Sequence, residues 1–155
     1  MSIALADLAT VIGKGLVAGA VGTAAMTVSS TVEMKLRGRE PSDAPARAAS
    51  KVLGVKPMGE AEWQRFSTAV HWAYGTLWGS VRGLLAALDV PSSSAVAAHL
   101  AAVWGSELVM LPTLGVTPPV TQWGSTEVAI DAWHHSVYAG VTNLAYIALD
   151  RNVSG

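Results

Sequence analysis

Residues 15–32 read GLVAGAVGTAAMTVSSTV, a run without a single charge and rich in glycine and alanine. A stretch of this length predicts a helix that crosses a bilayer, since roughly 20 predominantly apolar residues span the hydrocarbon core. Asp7 precedes Lys14, and the run lacks the short hydrophobic core and cleavage pattern of a signal peptide, so it is expected to stay in the mature protein. Three further apolar stretches complete the pattern. The sequence therefore predicts an all-α protein, a single transmembrane domain over residues 1–155, with four membrane helices near 12–34, 66–88, 94–112 and 126–149.

Composition agrees. Of 155 residues, 51% are hydrophobic and 14% charged, against about 25% charged in ordinary soluble domains. The net charge of -1 offers no footprint for nucleic acid. The absence of cysteine removes disulfides, thiolate zinc sites and cysteine nucleophiles. No phosphate-binding glycine loop, nucleophile elbow or HExxH helix occurs, so the sequence leans away from an enzyme and leaves the question open.

Charge concentrates between the first two apolar stretches, where Lys35, Arg37, Arg39, Arg47, Lys51, Lys56 and Arg65 accompany Glu40, Asp43, Glu60 and Glu62. The positive-inside rule makes this loop, residues 35–65, cytoplasmic and puts both termini outside. Within it, Ser42 or Asp43 is expected to cap a short interfacial helix that has Pro45 in its first turn and Gly54 at its end. Trp63 and Trp123 fall at the cytoplasmic boundary, where aromatic belts sit. Gly15 and Gly19, and Gly75, Gly79 and Gly83, recur at four-residue spacing, which lets helix backbones approach closely within one bundle.

Threaded up and down, the four stretches bring seven ionisable side chains to one end: Glu33, His71, Glu107, Glu127, Asp131, His134 and His135. Ionisable groups at membrane depth mark functional sites because burying them is costly. With a rise of about 1.5 Å per residue, His71, Glu107 and Asp131 each lie about 8 Å inside the cytoplasmic boundary. Helical periodicity puts Glu127, Asp131, His134, Tyr138 and Thr142 on one face, with His135 at its edge and four residues after Asp131. Arg82 and His99 go to the opposite end. Arg82, in line with His71, Gly75 and Trp78, faces the interior or snorkels outward beside Asp89, and His99 is expected to be an interfacial histidine.

Three uses of the inner cluster stay open. Histidine and carboxylate groups within hydrogen-bond reach relay protons. The same groups hold metals, and Asp131 with His134 forms an acid-x-x-His pair like those of carboxylate-bridged bundles, giving His71, Glu107, Asp131 and His134 as a ligand set. A haem between His71 and His134 or His135 is a further option, although no CxxCH motif is present. Polar groups that merely join helices are the third reading. No cofactor is assigned. The lipid bilayer is the expected partner, and a homo-oligomer or a larger membrane assembly stays open.

The third connection, Leu111-Pro112-Thr113-Leu114-Gly115-Val116-Thr117-Pro118-Pro119-Val120, is apolar and full of helix breakers. It is expected to hug the cytoplasmic mouth as a tight turn or as a lid over the cluster. Ser92 to Ser94, after Pro91, are expected to cap the third apolar helix. Trp72, Trp78, Trp104 and Trp133 read as packing or lipid-facing residues.

The stretch LPTLGVTPPV, followed by STEVAIDAWHHSVY, resembles the C-terminal part of the YagU-like bacterial inner-membrane proteins. Gly115, Thr117, Pro118, Pro119 and Val120 match the family's loop, Glu127 and Asp131 its acidic positions, and His135 its histidine. His71, opening HWAYGTLWG, is similar to a second family histidine. The likeness covers about the last 90 residues, while the N-terminal half aligns only as a glycine-rich span. Glu107 stands where the family has a histidine, and His134 where it has a small residue. The resemblance implies a multi-pass inner-membrane protein linked to acid tolerance, without known enzymatic activity.

Overall fold

A computed structural model describes residues 5–56 and 59–151. Among these the chain forms five helices: α1 (Leu5–Arg37), α2 (Ala44–Leu53), α3 (Glu60–Ala87), α4 (Ser92–Thr113) and α5 (Ser125–Arg151), plus a 3-10 turn at Val120–Gln122. The helices stop where the sequence supplies a left-handed residue. Gly38 adopts φ 64° just after α1, and Gly54 adopts φ 67° at the end of α2, as expected for that position. Pro45 lies in the first turn of α2. Ahead of it the backbone N–H of Ala44 donates to the Ser42 hydroxyl at 3.4 Å, whereas Asp43 makes no side-chain cap.

The expected apolar helices are all present, and all four are longer than read. α1 begins at Leu5 instead of 12 and α3 at Glu60 instead of 66, with smaller extensions of α4 and α5. By length and apolarity alone, α1 and α4 qualify to cross a membrane. α3 and α5 fall below that measure because His71 and Arg82 interrupt one, and Glu127, Asp131, His134 and His135 the other. The extreme termini, 1–4 and 152–155, on which the outside placement of both ends bears, lie outside the described residues.

The four long helices run alternately up and down, with α1 packed against both α3 and α5, and α4 against α5 and α3. Glycine sets the spacing. A Cβ on Gly79 would fall within 2.2 Å of the Gly15 carbonyl oxygen and 2.6 Å of the Gly19 Cα, and a Cβ on Gly83 within 2.2 Å of the Val11 carbonyl oxygen. The repeated glycines of the two runs thus meet each other inside one molecule, as anticipated. Gly22 serves the other side of α1, where a Cβ would meet the Thr142 hydroxyl and the Tyr138 backbone on α5.

What lies between the helices is small or polar: Ala18, Thr23, Arg82, His99, Tyr138, Thr142 and Tyr146 are all buried. What faces outward is apolar, including Val17, Leu77, Val109, Trp133 and Leu144. α2 does more than rest at an interface: Ala44 and Ala48 pack on Leu111 and Val116, joining the basic loop to the connection after α4.

Gly79→Leu is expected to lower stability in mild detergent by about 1–3 kcal/mol or more, since backbone must move to admit the side chain. Gly105 has nothing within 4 Å of its would-be Cβ, so Gly105→Ala should be neutral or stabilising by up to about 1 kcal/mol. Thermal unfolding of both variants checks the contrast.

Candidate functional site

Alternating helix direction brings the C-terminal halves of α1 and α4 beside the N-terminal halves of α3 and α5, and the polar residues of this end form three groups. The innermost joins α4 to α5. The Nε2 of His135 lies 2.6 Å from a Glu107 carboxylate oxygen, and its Nδ1 lies 2.9 Å from the Asp131 backbone oxygen. A carbonyl oxygen only accepts, so Nδ1 carries a proton. The Glu107 contact then needs one proton between Nε2 and the carboxylate, as imidazolium with carboxylate or imidazole with carboxylic acid. Asp131 completes the group: one of its oxygens accepts the Trp104 indole N–H at 2.7 Å and the other lies 3.7 Å from His135 Nδ1.

The second group lies toward α1. His134 Nδ1 is 2.9 Å from the Ser29 hydroxyl, and its Nε2 stands 3.8 Å from Glu33 without a hydrogen bond. Glu33 accepts from Arg39 Nε at 3.0 Å and from Arg37 at 3.1 Å, while Arg37 also reaches Glu127 at 2.6 Å. These charges form a collar at the mouth. Next to it an open pocket is lined by Arg39, Pro118, Gln122, Trp123, Asp131 and His134. From the connection after α4, Pro118, Gln122 and Trp123 form one wall of this pocket. Trp123 holds it in shape by donating to the Pro118 carbonyl, and Lys51 ties it to α2 through the Leu114 carbonyl.

His71 forms the third group with Thr27. The Thr27 hydroxyl donates to the Thr23 carbonyl at 2.7 Å and so accepts from His71 Nε2, 2.9 Å away. His71 is thus occupied by α1 and does not join Glu107 and Asp131, which corrects its expected place in one shared cluster. The expected metal set of His71, Glu107, Asp131 and His134 changes accordingly. Among the described residues, the acids and histidines whose ligand atoms converge within 4.8 Å are Glu107, Asp131 and His135. The three histidines turn to different neighbours: His71 to Thr27, His134 to Ser29 and His135 to Glu107 and the Asp131 carbonyl.

At the opposite end, Arg82 takes the inward of its two readings, and the interfacial reading of His99 is overturned. Arg82 does not snorkel: it is 2% exposed, donates to Asn143 at 2.8 Å, and lies over the Tyr146 ring. Its Nη2 also reaches the Ser92 hydroxyl, which accepts that bond while the start of α4 lacks a side-chain cap. His99 is fully buried instead of interfacial, with Nε2 donating to the Trp78 carbonyl at 3.0 Å. Neutral groups receive both: Asn143, Ser92 and the Tyr146 ring around Arg82, and the Trp78 carbonyl and Tyr138 ring beside His99.

Thr27, Ser29 and Trp104 were not singled out from sequence as site residues. The signal for the first two was present in the hydroxyl-rich run Thr23, Thr27, Ser29, Ser30 and Thr31 on a glycine-bearing helix. No family model matches the chain, and neither a curated protein nor a solved structure does.

Thr27→Val should strand the His71 N–H and lower stability by about 1–3 kcal/mol, whereas Thr27→Ser keeps the acceptor and should leave it close to wild type. Equal losses in the two variants, measured by thermal unfolding, would show that the hydroxyl is not what His71 uses.

Proposed function

We propose that this chain is a four-span bacterial inner-membrane protein whose Glu107–His135 pair, with Asp131 beside it, takes up and releases protons from the cytoplasmic side in support of acid tolerance. The carrying observation is the 2.6 Å contact between His135 Nε2 and Glu107, which requires a proton whose owner is decided by the surroundings. Hydrogen bonds from the protein fix the rest of the group. The His135 ring is held through Nδ1 by the Asp131 carbonyl, and the Asp131 carboxylate by Trp104. The pocket beside Asp131 and His134 supplies an approach for water or hydronium.

Membrane placement is supported by the distribution of side chains. Valine, leucine and tryptophan face outward over α1, α3, α4 and α5 while histidine, threonine, tyrosine and arginine are buried. In water-soluble proteins valine and leucine are most often buried, whereas threonine and arginine are mostly exposed. Lipid is accordingly the proposed partner of the outer surface, and the cytoplasmic side is assigned from the basic loop. The YagU-like resemblance of the last 90 residues points the same way and supplies the link to acid tolerance.

Cells carrying Glu107→Gln or His135→Ala variants that insert normally are expected to recover cytoplasmic pH several-fold more slowly after an acid shift. Infrared difference spectra of the purified protein should show a carboxylic-acid band that grows as pH falls and is absent from Glu107→Gln. Unchanged pH recovery together with an unchanged band would remove the proton reading. Topology is checked separately: the chain has no cysteine, so Ser154→Cys gives a single label site, expected to react from outside the cell. Protection there would reverse the orientation.

A further inference from the structure

Glu107, Asp131 and His135 are more tightly arranged than a proton pair alone requires. We propose that these three residues form a seat for one divalent transition-metal ion, which enters from the pocket beside Asp131. The proposal rests on the reading above for the direction of access, and it names a second occupant of the same site.

Three features carry it. The first is convergence: one ligand atom from each residue lies within 4.8 Å of the others, from α4 on one side and from two positions a single turn apart on α5 on the other. The second is orientation. Histidines that bind metals donate their remaining ring N–H to a carbonyl or carboxylate, which fixes the tautomer and aims the free nitrogen. His135 does this through Nδ1 to the Asp131 carbonyl, leaving Nε2 aimed at Glu107. Asp131 is held by the Trp104 N–H on one carboxylate oxygen, and the other lies 3.7 Å from the Nδ1 edge of the His135 ring.

The third is charge. Two carboxylates and a neutral imidazole match a dication, and buried charges are retained where they are paired or coordinate a metal. Among the described residues no lysine or arginine forms an ion pair with Glu107 or Asp131, because Arg37 and Arg39 are taken up by Glu33 and Glu127. One nitrogen and two carboxylate oxygens favour a first-row transition metal over magnesium or calcium, and three protein ligands leave positions open for water. His134, three residues after Asp131, faces α1 and is not part of the seat.

Metal and proton exclude each other here, because an ion bound to Nε2 and Glu107 displaces the proton between them. The test is titration of the purified protein in mild detergent with Co2+, whose visible bands report coordination. One equivalent is expected to give those bands, and Zn2+ should remove them. Glu107→Gln and Asp131→Asn, shown to be folded by circular dichroism, should abolish binding; Trp104→Phe should weaken it by about 10–100-fold. His71→Ala and His134→Ala should bind as wild type does.

Absence of stoichiometric Co2+ binding in the wild type, or binding that survives in both Glu107→Gln and Asp131→Asn, would overturn the proposal. Loss of binding in His71→Ala or His134→Ala, with the fold intact, would overturn the ligand set. The infrared band separates the two readings. A pH-dependent Glu107 band without metal binding removes the metal seat alone, and Co2+ binding without such a band removes proton handling alone.

Discussion

The close approach of α1 to its two neighbours is the constraint from which the rest of the structure follows. Gly15 and Gly19 admit the backbone of α3, and Gly22 admits α5, so one helix touches two partners with almost no side chain between them. Small residues at a helix contact let backbones approach closely enough to gain packing energy from the main chain itself. It also sets reach. At this separation a threonine on α1 meets a histidine on α3, and a serine meets a histidine on α5. A larger residue at Gly79 would move Thr27 from His71 as well as open the helix contact.

With the backbones this close, a polar side chain between the helices gains from a partner, because an unsatisfied buried polar group costs about 1–3 kcal/mol. The end that carries the basic loop supplies hydroxyls on α1, the Trp104 indole on α4 and a carbonyl of α5. The opposite end supplies Asn143, Ser92 and the Tyr146 ring to Arg82, although Arg82 Nη1, His99 Nδ1 and the Tyr146 hydroxyl are buried there without a hydrogen bond. The result is a polar interior under an apolar surface, with the acid–histidine chemistry confined to the end that carries the basic loop. The arginines of that loop close the mouth by pairing with Glu33 and Glu127, which leaves Glu107 and Asp131 to histidine and tryptophan.

Much of this was legible in the sequence. Helix number, the glycine contact, the short helix ended by Gly54, and the shared depth of Glu107 and Asp131 all follow from periodicity and punctuation. The choice between adjacent histidines was not. With 3.6 residues per turn, a residue three after Asp131 lies about 60° to one side of it and a residue four after lies about 40° to the other. Both share its face by count, yet one turns to α1 and the other to α4, and only the packing order tells which helix waits on each side. The direction of Arg82 was left open and His99 was misplaced for a related reason. Depth along a helix is readable from the chain, but whether a long polar side chain turns out or in depends on the size of its neighbours on other helices.

The most direct measurement is the nitrogen NMR spectrum of His135 in lipid, with Glu107→Gln for assignment. The account requires a protonated Nδ1 held by a carbonyl and an Nε2 that shares its proton with Glu107, so the Nε2 shift should change markedly in the variant while Nδ1 keeps its proton. An Nδ1 without a proton, or an Nε2 indifferent to Glu107, would contradict it.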